Sequence, residues 1–149
     1  MNEPTTKHST FVIERNYKHS PSRVFAAWAV QSAKSAWFPQ AERFDFRIGG
    51  REYNRGGPPD GPIFTFDACY QNIVPDRRIV YWYTLDMDET RLSVSVTTVE
   101  FKPENDGTRL IYTEQGVYLD EHDTPEQREH GTKLFLDKLG HVLDSNEDA

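Results

Sequence analysis

The sequence predicts an α+β fold in which a curved antiparallel β-sheet wraps around a long C-terminal α-helix. A strand and two short helices come first, a run of further strands separated by turn residues follows, and an amphipathic helix ends the chain. A helix on one face of a strongly bent sheet can leave a cavity between them. We expect a single domain over residues 9–143, with flexible tails over 1–8 and 144–149.

The N-terminal elements are predicted from residue types and helix signals. Residues 9–18 are rich in β-branched and aromatic side chains, which favours a strand. A helix is expected to follow, with Ser20 as its N-cap and Pro21 at its first position. A second short helix is predicted over 32–37, and Pro39 ends it.

The middle of the chain predicts a β-meander. Its alternating segments are expected to form strands over 42–48, 51–56, 63–74, 77–85, 91–102 and 108–118. In the first of these, Phe44, Phe46 and Ile48 share one face, and Gly49-Gly50 supplies the next turn. The loop over 57–62 is too rich in proline and glycine for regular structure.

Two further patterns complete the predicted elements. Along 91–102 the apolar side chains change from even to odd positions, so we expect Val94 and Val96 to face inward and a bulge near Thr97-Thr98. Thr124 and Gln127 match a capping box that opens the last helix. Its apolar stripe consists of Phe135, Leu136, Leu139, Val142 and Leu143.

Composition excludes several classes of function. The net charge of −7 argues against nucleic-acid binding, which normally needs a basic surface. No apolar run reaches the length of a membrane span, and the single cysteine, Cys69, cannot form an intrachain disulfide. The sequence therefore predicts a cytoplasmic protein. Neither a metal-ligand pattern nor a cofactor motif occurs, so we predict no metal and no cofactor.

A set of short motifs resembles the SRPBCC, or START-like, superfamily. Within it, the chain resembles stand-alone bacterial proteins similar to the C-terminal domain of the activator of Hsp90 ATPase. The motifs are Ser20-Pro21-Ser22-Arg23-Val24-Phe25, Trp37-Phe38, Phe46-Arg47-Ile48-Gly49-Gly50, Ile73 to Tyr81, Gly107-Thr108-Arg109-Leu110 and Leu136-Asp137-Lys138-Leu139. The resemblance covers roughly residues 9–143 and implies the helix-grip fold. Superfamily relatives bind lipids, polyketides or hormones, and a minority are cyclases or hydrolases.

Strand alternation, together with this resemblance, selects the side chains expected to line a cavity. They are Trp37, Phe38, Phe46, Glu52, Phe66, Tyr70, Tyr81, Tyr83, Tyr112, Glu114, Phe135 and Leu139. The alternative is that these aromatic side chains simply fill the core. The fold favours a cavity for the set as a whole.

Glu52 and Glu114 stand out because an inward carboxylate must be paired, hydrogen-bonded or protonated. Either acid could orient a ligand hydroxyl or amine, or act as a general acid or base. Alternatively, Glu114 is a structural acceptor at a strand end and Glu52 lies at a solvated edge. The candidate partners are Tyr81, Tyr83, Tyr112, Arg55 and Arg91.

Three functions follow as hypotheses. The first is binding of a small apolar or amphipathic molecule, lipid-like or aromatic, in the cavity. The second is a hydrolase or cyclase that uses Glu and Tyr side chains as proton carriers, although the sequence names no nucleophile or activated pair. The third is a stress-response or Hsp90-interacting adaptor. Homodimers are common among such small domains, and no catalytic residue is assigned.

Overall fold

The computed structural model describes residues 3–145. The elements are β1 (Thr6–Tyr17), α1 (Pro21–Ala29), α2 (Gln31–Lys34), β2 (Arg43–Phe44), β3 (Arg51–Gly56), β4 (Phe64–Val74), β5 (Arg78–Met87), β6 (Thr90–Glu104), β7 (Gly107–Leu119) and α3 (Pro125–Ser145). All neighbouring strands pair antiparallel, in the order β1-β7-β6-β5-β4-β3-β2. The sheet curves around α3, so the predicted helix-grip fold is confirmed.

Several boundaries differ from the sequence prediction. β1 begins at Thr6 and α3 continues to Ser145, so both elements extend into the predicted tails. α2 ends at Lys34 rather than at residue 37. The parts of the predicted tails at 1–2 and 146–149 lie outside the described residues.

Both predicted helix starts have the expected caps. The Ser20 hydroxyl accepts a hydrogen bond from the Arg23 backbone N–H at 3.2 Å, and Pro21 is the first residue of α1. At the start of α3, the Thr124 hydroxyl accepts from the Gln127 backbone N–H at 3.1 Å. These caps set where α1 and α3 begin relative to the sheet.

The predicted strand over 42–48 is wrong beyond its first residues. β2 contains only two residues, and Ile48 is 59% exposed instead of facing the core. The chain turns early because the backbone N–H of Gly50 donates to the Arg47 carbonyl. A Cβ at Gly50 would lie 2.1 Å from the Asp45 carbonyl oxygen, so this turn requires glycine there.

The predicted bulge at Thr97-Thr98 is also wrong. The register of β5 and β6 shifts between Leu85 and Asp86 instead, and Val94 and Val96 point outward with 37% and 41% exposure. The residues buried on the inner face are Ser93, Ser95, Thr97, Val99 and Phe101. Small polar side chains occupy this inner face because a buried polar cluster, described below, lies beside it.

The hydrophobic core lies between the concave face of the sheet and the helices. α3 buries Leu136, Leu139 and Leu143 against the sheet. The buried Tyr17 hydroxyl donates to the Leu136 carbonyl at 2.7 Å and ties β1 to α3. Within residues 3–145, no helix combines the length and the apolar character that crossing a membrane requires.

Candidate functional site

A pocket of about 570 Å³ lies between α3, the inner face of the sheet and the segment that follows α2. We call it the central pocket. Seven of the residues predicted from the sequence line it: Trp37, Phe38, Phe66, Tyr81, Tyr83, Tyr112 and Phe135. Their rings meet edge to face or tilted, as between Phe38 and Phe66 at 5.3 Å and between Phe38 and Phe135 at 5.0 Å.

The other five predicted residues do not line the central pocket. Phe46 packs on Tyr70, with ring centroids 4.8 Å apart, and Leu139 is fully buried in the core. Glu52 and Glu114 are each only 1% exposed and lie among hydrogen-bond donors. The two carboxylates are therefore buried, as the inward parity predicted, but they do not form the pocket wall.

Glu52 is held by one cation and one phenol. The Lys34 ammonium donates to Glu52 Oε1 at 2.6 Å, and the Tyr70 hydroxyl donates to the same oxygen at 2.5 Å. The Lys34 nitrogen also lies 4.8 Å from the centroid of the Phe38 ring, within cation–π range. The alternative of a solvated edge for Glu52 is wrong, and so is Arg55 as its partner, because Arg55 pairs with Glu42 at 3.0 Å.

Glu114 is held by a larger set of donors. The hydroxyls of Tyr83 and Tyr112 each donate to it at 2.8 Å, and Arg128 approaches it at 3.4 Å. Arg91 was a candidate partner, but it pairs with Asp86 at 2.8 Å. The partner from α3 replaces the one expected from the neighbouring strand.

Arg128 joins α3 to the sheet through a buried network. Besides Glu114, its guanidinium donates to the Tyr83 hydroxyl at 2.8 Å, to the Ser93 hydroxyl at 2.7 Å and to Asp123 at 3.0 Å. Burial alone lowers the pKa of Arg128, but Tyr83, Glu114 and Asp123 outweigh it and raise the pKa above its ordinary value. The guanidinium therefore stays charged where it lines the central pocket.

Sequence reasoning missed Lys34, Asn54 and Arg128, all of which line the central pocket. Arg128 could have been found from the sequence. It lies eight residues before Leu136 in the predicted helix, and residues at this spacing lie on the same side of a helix. Lys34 had no such signal, because lysines are rarely buried without a partner and its partner is 18 residues away in sequence.

Burial raises the pKa of six of the seven tyrosines, and neighbouring Glu52 or Glu114 raises it further for most of them. The six are Tyr17, Tyr70, Tyr81, Tyr83, Tyr112 and Tyr118. Burial raises the pKa of Tyr118 to about 12, although the nearby Arg128 guanidinium lowers it in part.

Alkaline titration should reveal these phenols. We expect the six to stay protonated in the folded protein while tyrosines of the unfolded chain ionise at about pH 10. Because the folded state binds more protons, the stability they contribute is fully present below pH 10 and is lost as the pH rises above about 10. Tyrosinate absorbance measured against pH, with and without denaturant, gives the pH at which the tyrosines ionise in the unfolded and in the folded protein. Ionisation of all six at the denatured midpoint, with the fold intact, would contradict the described burial.

The described part of the chain contains no cluster of three or more histidine, cysteine or carboxylate side chains that could hold a metal ion. Polar side chains also line the central pocket among the aromatic rings: Lys34, Asn54, Asp123, Gln127, Arg128 and Thr132. This arrangement is suited to holding an apolar body and fixing its orientation through a few polar contacts.

A curved sheet gripping a C-terminal helix defines a protein of the SRPBCC, or START-like, class. The chain belongs to the family described as activator of Hsp90 ATPase homolog 1-like protein, whose model matches residues 18–144. Among curated proteins, no match to the chain was found.

Three solved structures from bacteria share the fold. The Mll3558 protein from Rhizobium loti is 44% identical, with a TM-score of 0.90 over 93% of this chain and 99% of that one. A protein from Rhizobium leguminosarum is 40% identical, with a TM-score of 0.90 over 97% and 99% of the two chains. The CV1439 protein from Chromobacterium violaceum is 25% identical, with a TM-score of 0.77 over 89% and 95%.

Proposed function

We propose that the chain binds a small amphipathic molecule with an aromatic or otherwise apolar body in the central pocket. The observation that carries this proposal is the pocket itself, about 570 Å³ of space whose largely apolar lining includes nine aromatic side chains. Ligand pockets in proteins commonly occupy about 300–1,000 Å³ and combine apolar walls with few polar groups. Membership of a family with a ligand-binding type of fold supports the same function.

The alternative that the aromatic side chains only fill the core has less support. A Cβ built at Gly131, on the pocket side of α3, meets no atom within 4 Å. Native interiors are close-packed, with few voids larger than a water molecule. An open space of this size beside a helix therefore favours an occupant from outside the chain.

The catalytic alternative has less support as well. Glu52 and Glu114 lie behind the lining and are engaged by protein donors, so neither is placed to exchange a proton with a bound molecule. Burial raises the pKa of Tyr81, Tyr83 and Tyr112, which makes these phenols weaker acids.

Homodimerisation and Hsp90 binding remain hypotheses. A cytoplasmic location remains part of the proposal and agrees with the single cysteine.

Filling the pocket tests the proposed function. The neutral fluorophore N-phenyl-1-naphthylamine should bind the wild-type protein with increased emission, because the aromatic lining excludes water. We expect Gly131→Trp to weaken this binding at least about tenfold, since the new ring occupies open space, a loss equivalent to about 1.4 kcal/mol. Thermal unfolding should show that the variant remains folded, because the substitution replaces glycine, a poor helix former, with a residue of higher helix propensity.

The matched control is Leu134→Trp, which adds the same ring to the same helix. Leu134 is 58% exposed and does not line the central pocket, so fluorophore binding should be unchanged. Equal affinity of Gly131→Trp and wild type would overturn the proposal, as would absence of binding to the wild-type protein.

A further inference from the structure

We propose that the polar end of the ligand is a neutral hydrogen-bond acceptor, such as a ketone, ester or quinone carbonyl oxygen, held by Lys34 and Asn54. This inference rests on the proposed function and adds the chemical class of the ligand and its orientation. The carbonyl lies at the end of the central pocket formed by α2 and β3, and the apolar body lies along the rings of Phe38, Phe66 and Phe135.

The first observation is the unused donor capacity of Lys34. An ammonium group has three N–H donors. Within residues 3–145, the acceptor found for them is Glu52 Oε1 at 2.6 Å. The side chain is 6% exposed and lines the pocket, so water from the bulk reaches little of it. A ligand oxygen would therefore meet a donor that the protein has desolvated without using it completely.

The second observation is the side chain of Asn54. It follows Glu52 by two residues on β3 and so lies on the same face, about 7 Å further along the strand. Asn54 is 6% exposed and lines the pocket, and its Nδ2 is buried with no partner in the part of the chain that the structure describes. A buried donor without an acceptor is unfavourable, so a ligand oxygen that reaches this amide gains a hydrogen bond.

A third donor lies in the same wall. The indole nitrogen of Trp28 is buried and has no acceptor among the described residues, and Trp28 lines the pocket. The Lys34 nitrogen is 5.5 Å from the centroid of the Trp28 ring. Unused donors therefore gather near Lys34.

Arg128, the other cation of the pocket, has little capacity left. Its guanidinium already donates to Tyr83, Glu114, Ser93 and Asp123. Those acceptors hold it against the sheet, so a ligand at this end of the pocket would have to displace protein contacts. The difference between the two cations orients the ligand, with its oxygen towards Lys34.

The charges around Lys34 favour a neutral oxygen over an ion. Lys34 and Glu52 form a pair without net charge. A carboxylate placed on Lys34 would also face the buried charge of Glu52, and an ammonium ligand would face Lys34 itself. Burying a further charge beside a compensated pair is costly, whereas a carbonyl oxygen accepts a hydrogen bond without adding one.

A series of three probes on one ring system tests the inference. Displacement of N-phenyl-1-naphthylamine by 2-acetylnaphthalene, 2-ethylnaphthalene and 2-naphthoate compares a neutral acceptor, a hydrocarbon of the same shape and an anion. We expect the ketone to bind about tenfold more tightly than the hydrocarbon, as a buried hydrogen bond provides, and the carboxylate to bind no better than the ketone.

Two variants assign the preference to this end of the pocket. Asn54→Leu should reduce the preference for the ketone over the hydrocarbon, while Asn16→Leu should preserve it, because Asn16 is exposed on β1 and outside the pocket. Equal binding of ketone and hydrocarbon to the wild-type protein, or tighter binding of the carboxylate, would overturn the inference even if Asn54→Leu failed to fold. In either case the fluorophore would still bind, whereas failure of the proposed function would abolish its binding.

Discussion

Replacing Arg128 with methionine is expected to lower the free energy of unfolding by about 3–5 kcal/mol, because it leaves Glu114 as a buried charge without its cation. Methionine keeps much of the side-chain volume, so the loss reports the electrostatic network more than a cavity. The same change removes the hydrogen bonds from α3 to Tyr83 and Ser93. Equilibrium denaturation in urea at neutral pH measures the difference.

The matched control for this prediction is Arg15→Met. Arg15 also joins the sheet to α3, through Asp137 at 2.7 Å, but the side chains of this pair are 27% and 52% exposed. An exposed pair contributes about 0–1 kcal/mol, so the control should change stability little. Equal, small losses for the two variants would show that the Arg128 network is not an essential attachment of α3.

Lys34→Met is expected to have a similarly large effect at the other end of the pocket. It leaves the carboxylate of Glu52, 1% exposed, with the Tyr70 hydroxyl as its remaining described donor. Breaking a buried pair by removing one partner typically costs about 3–5 kcal/mol. Because Lys34 is the last residue of α2, we also expect this part of the pocket wall to loosen. Urea denaturation and amide hydrogen exchange measure the two effects.

A second substitution separates the charge effect from lost packing. In Lys34→Met/Glu52→Gln the buried charge is gone, so much of the lost stability should return. Arg55→Met serves as the surface control. Arg55 and its partner Glu42 are 54% and 47% exposed, so no measurable change in stability is expected. A double variant no more stable than Lys34→Met alone would refute the view that an uncompensated charge causes the loss.

The Lys34–Glu52 pair and the Arg128–Glu114 network connect stability to the proposed function. Lys34 fixes α2 and Arg128 fixes the first turns of α3, and the central pocket lies between those elements. A pocket whose walls are held before a ligand arrives loses less conformational entropy on binding. The polar network is therefore expected to serve affinity as well as folding.

Local sequence patterns predicted most of the fold. The caps at Ser20 and Thr124 depend on residues only a few positions apart. Strand alternation places Tyr81 and Tyr83 on the inner face, and both are buried there. The prediction that Ile48 and Val94 face inward was wrong, because both apolar side chains are exposed. Alternation identifies two faces of a strand but does not say which face the rest of the chain covers.

The sequence by itself determined the order of elements, the helix starts and the inward parity of Glu52 and Glu114. It also named Tyr83 and Tyr112 as candidate donors to them, and both donate to Glu114. Tertiary structure alone decided which cations pair with these acids. Lys34 is 18 residues from Glu52, and Arg128 is 14 residues from Glu114, each on a different element. Burying a carboxylate requires a compensating group in space, and any suitably placed donor in the folded chain meets that requirement. The cationic partners therefore became identifiable only once α2 and α3 were packed against the sheet.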